Sequence, residues 1–129
     1  MSIRERDGVL REVEAARDEM VDLLGRLIRI DTTDPPGTNY AECADLLAAT
    51  YRCHGYDARL VPVPDDYVRK ISGELAAPAP GGKIPPRVNV FARSSDASPG
   101  RVMHFTGHFD VVPAGDGWTV DPFGGTVGD

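Results

Sequence analysis

Residues Val102 to Thr106 form a nearly continuous apolar run, Val-Met-His-Phe-Thr, that ends at Gly107. A run of this length bounded by a glycine has the character of a strand buried on both faces. Such a strand needs helices over its sheet, and the preceding chain offers them. From Val9 to Ile30, Val13, Ala16, Met20, Leu23, Leu24, Leu27 and Ile28 recur at helical spacing, with charged residues between them. Arg26 and Arg29 near the end suit the negative pole of the helix dipole.

Asp31-Thr-Thr-Asp34-Pro35-Pro36-Gly37 then stops the helix, since paired prolines and a glycine cannot continue one. Asn39 is expected to cap a second helix, with Glu42 completing a capping box. That helix runs to about His54 and ends at Gly55, a residue suited to a left-handed C-terminal cap. Its positions Ala41, Ala44, Leu47, Ala48 and Tyr51 are expected to face a core. His54 reads as a surface residue compensating the helix dipole.

Asp57 to Val63 reads as a strand pushed to a sheet edge by Pro62 and Pro64. Asp65 to Pro86 is irregular, a long loop with a short helical turn around Tyr67 to Ile71. Val88 to Arg93 alternates as a strand, and the connection to Val102 is short enough for an antiparallel hairpin. The fold class expected is α/β, a mixed β-sheet flanked by helices.

Composition bounds the function classes. The chain of 129 residues, with 41% hydrophobic and 26% charged residues, reads as an ordinary globular protein. A net charge of −6 argues against a nucleic-acid partner, which would want a basic face. No apolar run approaches the roughly 20 residues of a membrane span, and the N-terminus lacks a signal peptide's apolar core. A cytoplasmic location is the expectation. Cys43 and Cys53, on one helix, would lie roughly 15 Å apart, beyond the ~7 Å limit for a disulfide. Two free thiols fit a reducing compartment.

The chemistry gathers after Gly107. In an extended chain residues i and i+2 point to the same side, so His108 and Asp110 face one space at a strand end. That pairing suits a metal-binding imidazole steadied by a carboxylate at its other ring nitrogen. From the residues alone, metal ligand and catalytic base are both open for His108. His104 shares the face by parity but lies within the apolar run, and is expected to be a hydrogen-bonded core residue.

Thr106-Gly-His108-Phe-Asp110-Val-Val-Pro113, followed by Gly115-Asp-Gly-Trp118 and Asp121-Pro-Phe123, resembles the first metal-ligand motif of the M20 metallopeptidase family. Arg29-Ile-Asp31-Thr-Thr-Asp34-Pro-Pro-Gly37 is similar to a second block of that family, with Asp34 where asparagine is more usual. Pro86-Arg-Val-Asn89-Val is similar to a third. The resemblance spans nearly the whole chain but only the first third of a typical member.

It implies the N-terminal part, residues 1–129, of a zinc-exopeptidase-like catalytic domain. The rest of that domain and any lid or dimerisation domain lie outside it. His108 would be a ligand to one metal of a dinuclear zinc (or cobalt) site, and Asp110 the catalytic residue that orients it. The bridging aspartate, the general base and the final histidine ligand would lie beyond Asp129. The implied activity is amide-bond cleavage of an N-acyl amino acid or small peptide, in a complete protein that forms a homodimer. The isolated chain is then expected to be inactive. Two alternatives remain: a truncated, non-catalytic remnant serving as a binding or assembly module, and an unrelated small α/β binding protein.

Overall fold

The computed structural model describes residues 3–72, 85–94 and 100–128. It divides into two compact units, residues 30–116 and a second unit made of the N-terminal helices with residues 117–129.

In the larger unit, helix α3 (Tyr40–Cys53) leads through Gly55 into strand β1 (Tyr56–Val63). Gly55 has φ +79°, and its N–H donates to the Arg52 carbonyl at 3.0 Å, as the left-handed stop requires. The Arg52 guanidinium reaches round the turn, its Nε and Nη2 donating to the Ala58 carbonyl at 3.0 and 2.7 Å. Strand β1 pairs antiparallel with β2 (Arg87–Ser94) over eight residues, from Tyr56 opposite Ser94 to Val63 opposite Arg87. Between them Asp65–Ser72 forms helix α4, a regular element where the sequence suggested only a turn.

α3 packs on both strands and buries Tyr40, Cys43, Ala44 and Ala48. Ala58 of β1 and Val68 of α4 complete the buried apolar set. The spacing 40, 43/44, 48 is helical, but Ala41 and Tyr51 of the expected face are exposed. Small side chains on that face let the helix axis approach the sheet closely. Cys43 is buried and Cys53 exposed, both as free thiols. Burial, with the Glu42 charge beside it, pushes the Cys43 thiol above its ordinary range.

In the smaller unit the expected single helix is two, α1 (Ile3–Ala15) and α2 (Arg17–Ile28). The interruption is slight. At Ala16 ψ reaches 0°, yet Ala16 N donates to Glu12 O and Met20 N to Ala16 O, at 3.0 and 2.9 Å. α1 buries no residue and α2 buries only Gly25, so most of the apolar stripe meets solvent. The segment around Gly125 lies on α2, with Arg29 Nη2 donating to the Gly125 carbonyl at 3.5 Å.

Several expectations are corrected. The described residues are α/β, as expected, with helices and a two-stranded antiparallel sheet, but its hairpin partners are β1 and β2, not β2 and Val102–Thr106. Residues 101–110 join no ladder, and Val102 and Phe105 are 90% and 82% exposed. Apolar character prepares a strand for burial, but its backbone groups also need a neighbouring strand, and among the described residues this run has none. His104, expected in a core, is exposed for the same reason. Asn39 stands at the N-terminus of α3 without capping it: its Nδ2 donates instead to the Asp31 carbonyl at 2.8 Å.

No helix among the described residues is long and apolar enough to cross a membrane.

A candidate metal-binding pair and the loop that holds it

His108 and Asp110 meet. The imidazole Nδ1 lies 3.2 Å from Asp110 Oδ1 and 3.0 Å from the Asp110 carbonyl oxygen. Both neighbours are acceptors, so a neutral ring there carries its proton on Nδ1 and leaves Nε2 its lone pair. The His108 side chain is 81% exposed. This is the tautomer and orientation in which a histidine ligates a metal through Nε2. Among the described residues no group of three or more His, Cys, Asp or Glu side chains gathers round a common point. The donor chemistry present thus fits one metal ligand with its orienting carboxylate.

Behind the pair, the segment is gripped by residues 31–40. Thr32 Oγ1 donates to the Phe109 carbonyl at 2.6 Å. Val111 N donates to Thr32 O at 3.2 Å and Asp34 N to Val111 O at 2.8 Å, so Thr33 and Val111 form an isolated parallel bridge. The Phe109 ring meets Tyr40 edge-on with centroids 5.4 Å apart. Alternation in an extended chain puts Phe109 on the side opposite His108 and Asp110. The grip is therefore applied from behind.

The gripping loop folds on itself. Asp31 Oδ1 accepts from Thr33 N at 2.9 Å, an Asx turn, and Gly37 N donates to Thr33 O at 2.8 Å. Arg87 of β2 closes it. Its Nη2 donates to Asp34 Oδ1 at 2.8 Å, and its Nη1 to the Pro36 and Gly37 carbonyls at 3.0 and 3.1 Å. Its guanidinium also stacks 4.5 Å from the centre of the Tyr40 ring. Gly37 has φ +72°, and a Cβ there would run into the Arg87 guanidinium and the Tyr40 ring. Tyr40 is buried, and its hydroxyl has no hydrogen-bond partner of good geometry among the described residues. Burial first, and the Asp34 charge second, push that phenol well above its ordinary range, with Arg87 opposing.

The structure thus joins three stretches far apart in the sequence, around Asp34, Arg87 and Phe109. Thr32, Tyr40 and Arg87 were not singled out from the sequence, because their part depends on contacts 50 or more positions away in the case of Arg87 and 77 in that of Thr32. A signal existed: Thr32 and Arg87 lie inside two of the stretches that carry the family resemblance.

Comparison with known proteins finds a likeness over part of the chain. The chain is 56% identical over 41 residues to succinyl-diaminopimelate desuccinylase of Rhodospirillum centenum, covering 30% of this chain and 10% of that protein. It is 51% identical over 43 residues to the desuccinylase of Cereibacter sphaeroides, 32% of this chain and 11% of that protein. With that of Rhodospirillum rubrum the figures are 54% over 41 residues, 32% and 10%. The likeness is to the N-terminal part of an M20-family hydrolase. It spans about a tenth of the length of those M20 relatives. No family profile matches the chain, and no solved structure does.

Proposed function

We propose that the chain is the metal-anchoring part of an M20-like amidohydrolase that removes an acyl group from an amine, with N-acyl amino acids or small peptides as substrates. The observation that carries this is the His108–Asp110 contact, which turns Nε2 outward as a donor. The likeness to desuccinylases supports it and makes a succinyl amide the first substrate to try. His108 would hold zinc, or cobalt in its place, through Nε2, and Asp110 would fix the ring's tautomer and raise its basicity. A bound zinc supplies Lewis acidity toward a carbonyl and toward water. A zinc site takes about four donors, so the pair would be completed by donors and a general base from the remainder of a catalytic domain.

The test is made in the polypeptide that supplies those donors. His108→Ala is expected to lower bound zinc and nearly abolish hydrolysis of an N-succinyl amino acid. Asp110→Asn is expected to cost at least about tenfold in metal affinity or activity. Unchanged zinc content and turnover in His108→Ala would sink the assignment. A non-catalytic binding or assembly module is the second reading, favoured by the exposed apolar segment at Val102, Met103 and Phe105. Zinc-independent self-association of the chain, without any hydrolysis, would support it.

A further inference from the structure

Among the described residues, the contacts that fix the neighbours of Asp110 come from residues 32–40, and none of them ends on the imidazole or the carboxylate. Residues 109 and 111 are held on either side of Asp110 while the two functional side chains are left to each other. That loop is irregular, and an irregular loop holds a position only as well as its own closure does. Its closure is Arg87, whose fork takes Asp34 with one nitrogen and the Pro36 and Gly37 carbonyls with the other, while its plane lies on Tyr40.

We propose that Arg87 is a positioning residue for the His108–Asp110 pair: it locks loop 34–37 and Tyr40 into one body, and that body sets the backbone on which His108 and Asp110 meet. The proposal rests on reading His108 as a metal anchor supported by Asp110. Arg87 does not touch the pair. It acts through Asp34 N on Val111, through the loop that presents Thr32 to Phe109, and through Tyr40 on the Phe109 ring. Lysine cannot take its place, because a point charge on a flexible stem could reach Asp34 but could not also span two carbonyls and stack on the ring.

The test reads the imidazole itself. In the ¹⁵N-labelled chain at about pH 8.5, where an ordinary imidazole is neutral, long-range proton–nitrogen spectra give the ratio of Nδ1–H to Nε2–H forms of His108. Wild type is expected to favour Nδ1–H and Asp110→Ala to weaken that preference, since its backbone carbonyl still accepts from Nδ1. Arg87→Lys should lower the ratio at least about threefold, the scale of one weakened hydrogen bond. Arg52→Lys, which weakens the fork on Ala58 at the far end of α3, is the control. It should lower the melting temperature and leave the ratio alone.

Thr32→Val cuts a single link to Phe109 and should move the ratio in the same direction as Arg87→Lys. It keeps the test decisive if the lysine variant does not fold. An unchanged ratio in Thr32→Val, or in a folded Arg87→Lys no less stable than the Arg52 control, overturns the positioning role alone. A wild-type ring protonated on Nε2 overturns the pair, and the positioning role with it.

Discussion

Tyr40 carries two duties with one ring. It is the floor under the Arg87 guanidinium and the wall against Phe109, yet its hydroxyl is buried without a hydrogen-bond partner among the described residues. The ring is useful and the oxygen is a burden. A buried polar atom left unsatisfied costs about 1–3 kcal/mol, so Tyr40→Phe should melt at the same temperature as wild type or higher at neutral pH. The hydroxyl also makes the fold sensitive to alkali. A phenol whose folded pKa is raised keeps the protein proton-rich relative to its unfolded form, so stability present below pH 10 is lost as pH rises past that ordinary value. Tyr40→Phe should flatten that alkaline loss. A variant less stable than wild type at pH 7, or one as alkali-sensitive, would show that the hydroxyl is satisfied. Thermal melts from pH 7 to pH 11 measure both.

At the scale of elements, α3, β1 and β2 were legible in the sequence to within a residue or two, because period and end signals are local. Gly55 stops α3 by its own backbone freedom, and two-residue alternation already puts His108 and Asp110 on one side. What the pattern could not carry is which edges pair. Val102–Thr106 has the composition of an interior strand but no ladder, and His104 is exposed with it. Likewise Asn39 looked like a cap and turned out to be a strut to Asp31, a partner set by how the loop folds back. The unpaired run predicts its own exchange behaviour. Amides of Met103 to Phe105 should exchange with deuterium as in an unstructured peptide, while the inner amides of β1 and β2 exchange more slowly. Protection of Met103 to Phe105 equal to that of Leu60 and Val90 would mean that the run has found a partner in solution. Mass spectrometry of exchanged peptides resolves the two.

On the scale of the whole molecule, the candidate chemistry sits in the larger unit, in the stretch from Thr32 to Val111, while the smaller unit brings Gly125 onto Gly25 and the Arg29 guanidinium. Near Gly125, at φ +58°, an added Cβ would lie 2.6 Å from the Gly25 carbonyl oxygen. At Gly25 an added Cβ would meet its neighbours no closer than 3.5 Å. The two sides of one contact are therefore unequal under mutation. Gly25→Ala should be tolerated or should raise the melting temperature, since alanine favours a helix interior over glycine by about 1 kcal/mol. Gly125→Ala should lower it, since left-handed backbone and a blocked Cβ both oppose the substitution. Equal effects at the two positions would show that the contact does not form. A library of variants grown under selection for folding would then drift freely at position 25 and stand still at position 125, so the fixed glycine would mark a meeting of chain segments that no side-chain covariation could reveal.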